Sequence, residues 1–484
     1  MAERDPKQIT PKSEDFDRWY TDVVRRAELA DYTPIGGCMV VRPYGWALWE
    51  NTRDALDAMI KRTGHENMQF PLFIPESYLM KEAEHVEGFA PEVAWVTHGG
   101  DKELEERLAI RPTSETIICS LYAKWIHSWR DLPVLINQWA NVVRWEKRTR
   151  LFLRTTEFWW QEGHTFHETS EEAAREVDTM LGCYRELAED WLCLAVVPGR
   201  KTDSEKFAGA DYTLSIEAMM SDGLALQAGT SHHLAQNFTR AYDITYTDRG
   251  NTLQNPHQTS WGLSTRMIGG VIMAHGDDQG LILPPRVAPV QVVIVPISRS
   301  NDPDSARLVD DAVDKLERES QGTGIRLRVD RREGIRPGEK YAHWELRGVP
   351  LRVVVGAKDL ADGMVTVVRR VDGEQSRLPL DTLAVQLPRL LDEAHHALRA
   401  RALKMLDDFS REVGSLDELK QAFAGGPVWA NAPFCNTAEC ETAVKASVHA
   451  VTVRNLRADR SAGGAPCLAC GQPAEHVALI ARAY

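Results

Sequence analysis

The sequence predicts an α/β multidomain protein, and three observations carry that prediction. The chain has 484 residues, enough for about three domains of ordinary size. A proline pair in Leu283-Pro284-Pro285-Arg286 interrupts it, and the near-continuous apolar run Val290 to Pro296 follows, as in a strand buried on both faces of a parallel sheet. Near the far end, Cys435, Cys440, Cys467 and Cys470 gather into two close pairs. The expected divisions are residues 1–285, 286–400 and 401–484.

Within the first division, Tyr44 to Thr63 carries an apolar stripe of Leu48, Trp49, Leu56, Met59 and Ile60 at helical spacing, and Gly64 stops it. Met68 to Ile74 reads as a strand, broken by Pro71 and closed by Pro75. Residues 138–146 and 152–160 read as two strands of an antiparallel hairpin joined by Lys147-Arg148-Thr149-Arg150. If so, Arg144 and Glu146 point to one face. A helix is expected over 172–193, strands near 210–217 and 224–230, and a glycine-punctuated stretch over 262–280. Beyond the break, helix 304–319, strand 325–329, helix 338–347 and strand 350–355 alternate as a βαβ unit.

Composition narrows the class. Hydrophobic residues make up 43% and charged residues 26%, ordinary for a soluble globular protein. No apolar run reaches the roughly 20 residues that span a bilayer, and MAERDPKQIT lacks the apolar centre of a signal peptide. A cytoplasmic protein with no membrane partner is expected. The net charge of −13 argues against indiscriminate coating of nucleic acid. Cys38, Cys119, Cys183 and Cys193 are scattered, as reduced, partly buried thiols would be.

Four segments of the first division look like parts of one site. Arg111-Pro112-Thr113-Ser114-Glu115 sets a hydroxyl two residues from a carboxylate, suited to an ammonium or imino group. Arg144-Trp145-Glu146, with Arg154 and Phe158 after it, offers two planar guanidinium forks for phosphate. Gln227-Ala228-Gly229-Thr230-Ser231-His232 lets the backbone approach a ligand. Gly262-Leu263-Ser264-Thr265-Arg266 puts an arginine where a helix starts, a favourable place for a terminal phosphate. Each alone has a blander reading, such as a solvated strand pair or a structural histidine. Their occurrence together, three of the four beside glycine or proline, favours function.

With these segments in view, the chain resembles the class II aminoacyl-tRNA synthetases, and specifically the prolyl-tRNA synthetases of the archaeal/eukaryote-like type, which lack a cis-editing insertion. Gly64 to Phe73, with Pro71, is similar to the first class motif. Arg144-x-Glu146 through Arg154 and Phe158 is similar to the second, and Gly262 to Arg266 to the third. Pro112 to Thr116 resembles the loop that reads the substrate imino group. Trp160-Gln161-Glu162-Gly163-His164 and Gln227 to His232 extend the likeness over essentially the whole chain. The resemblance implies a class II antiparallel-sheet catalytic core, an α/β anticodon-binding domain and a C-terminal zinc-binding α/β domain.

It also implies roles. Arg144 would bridge the α-phosphate of ATP and the carboxylate of L-proline, with Glu146 at the adenine edge and Phe158 stacked on the ring. Arg154 and Thr155 would hold the nucleotide, Arg266 the γ-phosphate with Ser264 nearby, and Gln227 and Thr230 ribose and phosphate, with Mg²⁺ near Gln227. Thr113, Glu115, Glu162 and His232 would line the proline pocket. Glu345 and Lys358 would read anticodon guanines of tRNA(Pro). The chain end, Ala483-Tyr484, would fold back toward the catalytic domain, and a homodimer would form through the first motif. Only about a hundred residues separate Phe158 from Gly262, which the core itself needs. The resemblance therefore implies alanine activation without editing by this chain, since a few missing methylenes change binding by only about 1–3 kcal/mol.

Two further readings come from the residues themselves. From Ile325 to Arg370 there are eleven Lys/Arg against six Asp/Glu, a local excess of five that suits RNA phosphates. The cysteines read C-x4-C and C-x2-C, the composition of a closed tetrahedral Zn²⁺ site without a substrate position. A class IIa synthetase for threonine would need a zinc-binding His/Cys triad in its amino-acid pocket, and the core segments show none. A non-catalytic paralogue would be expected to lack Arg144, Arg154 or Arg266.

Overall fold

A computed structural model describes residues 9–85, 93–298 and 302–484; the first eight residues, part of the stretch read for a leader, lie outside it. Its centre is an eleven-stranded sheet. In spatial order the strands are Ser410–Glu412, Trp429–Phe434, His476–Arg482, Val451–Ser461, Val196–Arg200, Tyr212–Met219, Ala225–Ala235, His257–Ser264, Glu157–His167, Val134–Val143 and Glu66–Asn67. The pairings are antiparallel except at the two edges. The first four strands belong to the last part of the chain. They join the catalytic sheet through Leu456 opposite Arg200, so the terminal module continues the central sheet.

The amphipathic stripe forms the helix Pro43–Arg62, with Pro43 in its first turn and Leu48, Trp49, Leu56, Met59 and Ile60 in the main core. The single strand expected over Met68–Ile74 does not form; two short strands flank the segment Met68–Leu72. Glu66–Asn67 pairs parallel to the central sheet, and Phe73–Pro75 pairs antiparallel in a three-stranded sheet. Pro71 stands between them and has no N–H to continue a ladder. The helix expected over 172–193 runs Ser170–Glu186 from the cap Thr169, then loosens into one π turn, Leu187–Trp191.

The hairpin exists, but its limits differ from expectation. Its strands are Val134–Val143 and Glu157–His167, closing with Val143 opposite Glu157. The connection is therefore residues 144–156, and neither Arg144 nor Glu146 lies on a strand. The apolar triplet Leu151-Phe152-Leu153 reads as strand yet is buried as a folded loop. Phe152 adopts a positive φ of 62°, Arg150 bridges Arg154, and the Tyr20 hydroxyl donates to the Leu151 carbonyl at 2.7 Å.

The second unit is a five-stranded sheet in the order Leu327–Val329, Val292–Ile297, Leu351–Gly356, Met364–Arg369 and Gln375–Pro379. The first three strands are parallel and the rest antiparallel. Val292, Val293, Ile294 and Val295 are fully buried, as the apolar run predicts. The helix Leu380–Phe409 leads from this unit into the last one, and the expected division at residue 400 falls within it. Ala483 bridges Ala225, so residues 483–484 fold back onto the catalytic sheet. The Tyr484 ring lies 5.5 Å from the Arg150 guanidinium. No helix among the described residues is long and apolar enough to cross a membrane.

Candidate active site

The antiparallel register gathers distant segments into one cavity of about 260 Å³. Glu162 stands opposite Gly262, Thr230 opposite Gly262 from the other side, and Thr213 opposite His232. Of the residues singled out in the sequence, Thr113, Glu115, Arg144, Phe158, Glu162, Gln227, Thr230, His232, Ser264 and Arg266 line it. Glu146, Arg154 and Thr155 do not. Arg154 and Glu146 pair with each other at 2.7 Å, and the Thr155 hydroxyl is buried with no hydrogen-bond partner among the described residues.

Each lining arginine is fixed by its Nε and keeps its terminal nitrogens clear of described carboxylates. Arg144 Nε donates to the Pro112 carbonyl at 2.9 Å, and Arg266 Nε to the Leu153 carbonyl at 2.9 Å. Arg144 is open to solvent at the mouth and enclosed by protein elsewhere. Desolvation lowers its pKa, while Glu115, Glu162 and Glu146 oppose that. The Arg144 guanidinium also lies 5.6 Å from the Phe158 ring centre and 5.1 Å from that of Trp160. Arg266 opens the helix Arg266–His275. Burial is the main cause lowering its pKa, and Arg144 and Arg154 add to it.

Opposite these cations lies a buried carboxylate network. Glu162 accepts from Ser114 Oγ at 2.5 Å, Ser114 N at 3.2 Å and Gln138 Nε2 at 2.8 Å, with His164 Nε2 at 3.2 Å. Burial alone would raise the Glu162 pKa; its partners, His164 foremost, more than offset this and bring it below the usual range. Burial likewise opposes the charge on His164, and Glu162 and Glu115 raise its pKa. Thr113 Oγ1 donates to Glu115 Oε2 at 2.5 Å. The strand carrying Glu162 needs glycine next to it, because a Cβ at Gly163 would lie 2.1 Å from the Trp261 ring. His232 is held neutral, its pKa lowered to about 3 by burial and then by His164. Its Nδ1 is 2.9 Å from Thr213 Oγ1, and its ring lies 4.7 Å from that of Phe207. Sequence reasoning missed Lys201, Glu205, Phe207, Thr213 and Ser260 as cavity-lining residues; no local pattern marks them, since sheet register places Thr213 and Ser260 and the connection 201–211 places the other three.

A second cavity, about 390 Å³, lies between the second unit and the Asp277–Gln279 turn. Glu345 lines it and pairs with Arg352 at 2.6 Å; Lys358 lies outside, exposed on the short helix Ala357–Leu360. Most of the basic excess expected to face RNA is engaged in ion pairs. Arg331 meets Asp314 and Glu317, Arg332 meets Asp330, Arg347 meets Glu28, Arg369 meets Asp372 and Glu374, and Arg370 meets Asp277.

The four cysteines converge in the terminal module. Their sulfurs all lie within 4.8 Å of one another, with Cys435 Sγ 3.4 Å from Cys440 Sγ and 3.8 Å from Cys470 Sγ. A tetrahedron with Zn–S bonds of about 2.3 Å has edges of nearly that length, so this cluster could hold zinc.

Residues 95–275 match the tRNA synthetase class II core domain (G, H, P, S and T), 291–390 the anticodon binding domain, and 416–484 the prolyl-tRNA synthetase C-terminal domain. Fold and cavity together define a class II aminoacyl-tRNA synthetase. The chain is 51% identical to proline--tRNA ligase 2 of Clostridioides difficile, over 99% of this chain and 98% of that one. It is also 51% identical to the proline--tRNA ligase of Chlorobium limicola, over 99% of each. The crystal structure of Cryptosporidium parvum prolyl-tRNA synthetase, complexed with halofuginone and AMPPNP, superposes with a TM-score of 0.94 at 39% identity, over 99% of each chain. The chain belongs to the prolyl-tRNA synthetase family, and its activity is the activation of proline and the charging of tRNA.

Proposed function

We propose that the central cavity forms prolyl-adenylate from L-proline and ATP by positioning and charge neutralisation, without a covalent enzyme intermediate. The observation that carries this is Arg144, held by its Nε with its terminal nitrogens clear of any described carboxylate, between the Glu115/Glu162 side and Arg266. The proline carboxylate attacks the α-phosphorus, and pyrophosphate leaves. Repulsion between the two anions is the main electrostatic barrier, and a preorganised guanidinium offsets it. Thr113, Glu115, Glu162 and neutral His232 surround the proline ring and its imino group, and the His232–Phe207 contact supplies the apolar wall. Phe158 stacks on adenine; Glu146, Arg154 and Thr155 stand outside the cavity lining, and the Glu146–Arg154 pair parts for Glu146 to take the adenine edge and for Arg154 and Thr155 to border the nucleotide. Arg266, with Ser264 beside it, takes the γ-phosphate, and Gln227 and Thr230 take ribose and phosphate. Mg²⁺ near the Gln227 amide oxygen would share the phosphate charge.

The tRNA 3′-terminal hydroxyl then attacks the prolyl carbonyl, the bond from that carbon to the phosphate oxygen breaks, and AMP leaves. In the second unit Glu345 and Lys358 read guanine edges of the tRNA(Pro) anticodon, a carboxylate accepting and an ammonium donating. The four thiolates hold a structural Zn²⁺. The working form is a cytoplasmic homodimer. The segment between Glu157–His167 and His257–Ser264 is taken up by core strands and the helices packed on them, which supports activation of alanine without hydrolysis of Ala-tRNA by this chain. Amino-acid-dependent ATP–pyrophosphate exchange tests the reading. Exchange with proline, weaker exchange with alanine and persistent Ala-tRNA are expected; rapid deacylation of Ala-tRNA by the pure protein would overturn the last point, and exchange with another amino acid but not proline would overturn the first.

A further inference from the structure

Two carboxylates of the first division, Glu217 and Glu205, meet cations of the terminal module. Glu217 is fully buried, and Lys201 is 4% exposed. Lys201 Nζ donates to Glu217 Oε1 at 2.7 Å and to the Arg454 carbonyl at 2.8 Å. Arg454 grips the other carboxylate oxygen with Nε at 3.2 Å and Nη2 at 3.1 Å. Two cations thus share one carboxylate, and one positive charge remains. The member of the trio that lines the cavity is Lys201.

Placement strengthens the point. Glu217 faces Gln227 across the Tyr212–Met219/Ala225–Ala235 pair, where the register slips between Ile216 and Glu217. Such a bulge re-aims side chains. A second contact joins the same two modules: Glu205 also lines the cavity, and Lys445, on the terminal helix that carries Cys440, meets it at 2.9 Å while also pairing with Glu441 at 2.9 Å. Burial and Arg454 lower the Lys201 pKa, and Glu217 opposes them.

We propose that Arg454, with Lys445 in a lesser part, is a positioning residue for the adenylation step: Arg454 neutralises Glu217, and Lys445, shared with Glu441, partly offsets Glu205, so that Lys201 presents its charge to the pyrophosphate end of ATP. This rests on the placement of the triphosphate between Gln227 and Arg266. Without Arg454, Glu217 would neutralise Lys201 instead, and the cavity wall would lose its net attraction for a polyanion.

The test is proline-dependent ATP–pyrophosphate exchange by the full chain, with Arg454→Met, Lys445→Met, the double variant and Arg454→Lys. Melting temperature and zinc content are measured on each. For Arg454→Met, KM for ATP and the inhibition constant for pyrophosphate should both rise about three- to tenfold, the range expected for coupling through one intermediary. KM for proline should hold. Lys445→Met should give a smaller shift in the same direction, because that pair is partly exposed, and Arg454→Lys should restore most of the loss. Arg457→Met, on the same strand, should leave ATP binding alone. Unchanged ATP and pyrophosphate constants in the double variant, or an equal rise in KM for proline, would overturn the proposal. Should Arg454→Met not fold, Lys445→Met and Arg454→Lys decide it by the same constants. Arg266→Ala checks the triphosphate placement separately: if it leaves KM for ATP unchanged, that placement falls, whatever Arg454 does.

Discussion

The cavity around Arg144 and the one around Glu345 hold the same kinds of side chain in opposite states of pairing. Arg144 and Arg266 are each tethered by one Nε–carbonyl bond, and no described carboxylate lies within ion-pair distance of their terminal nitrogens. In the second cavity, Arg352, Arg369 and Arg370 all close on carboxylates. A guanidinium fork held from behind is prepared for an incoming anion; one already closed on a carboxylate must give that partner up first. Counting basic residues does not distinguish the two, since the eleven Lys/Arg between 325 and 370 suggest a phosphate-binding face that their ion pairs largely occupy.

Arg144→Ala should break the comparison most sharply. Proline-dependent exchange should fall by about two to three orders of magnitude, as when a preorganised donor is removed from developing charge, while the melting temperature stays near that of the unaltered chain. Retained exchange would mean that the open fork is not the catalytic one. Next in size is Cys440→Ser, which should abolish zinc binding, read by metal analysis, and loosen the terminal module, because metal binding and folding are linked. Glu345→Ala should lower kcat/KM for tRNA by about tenfold, within the 1–3 kcal/mol expected of one base contact, and leave exchange alone. If charging is unaffected, the Glu345–Arg352 pair is purely structural and the contrast between the cavities becomes absolute.

The smallest expected effect concerns acid stability. His275 is buried, donates from Nε2 to the Leu192 carbonyl at 2.8 Å, and has its pKa lowered from 6.5 to about 3, chiefly by burial. Between those values the unfolded chain binds a proton that the folded chain refuses. Stability should therefore fall as pH drops below about 6.5. His275→Gln, which retains a donor, should flatten that part of a melting-temperature-against-pH curve; an unchanged slope would refute the assignment.

Much of this was legible in the sequence where a local pattern has one physical solution. The Pro43–Arg62 stripe, the Val292–Ile297 run and the paired cysteines are of that kind. So were ten of the cavity's lining residues, because each sits in a short motif of polar, charged or aromatic residues, most of them beside glycine or proline. The connection 144–156 was not legible. Leu151-Phe152-Leu153 has the composition of a strand, and its burial as a loop depends on Tyr20, far away in the chain. Lys201, Glu205 and Phe207 were missed for a related reason: they lie in the connection between the strands Val196–Arg200 and Tyr212–Met219, which the rest of the fold brings over the cavity. The ion pairs between 325 and 370 similarly depend on partners in other elements, such as Glu28 and Asp277.

The merged sheet has a consequence for biosynthesis. The strand Val196–Arg200 has Tyr212–Met219 on one side and Val451–Ser461 on the other, and its partner Leu456 follows Arg200 by more than 250 residues. During vectorial synthesis one flank of the half-made enzyme must stay unzipped until those last strands emerge from the ribosome. Unpaired strand flanks invite association with other chains. A ribosome stalled before codon 451 should therefore carry a nascent chain that recruits chaperones more strongly than one released after its final strands have docked.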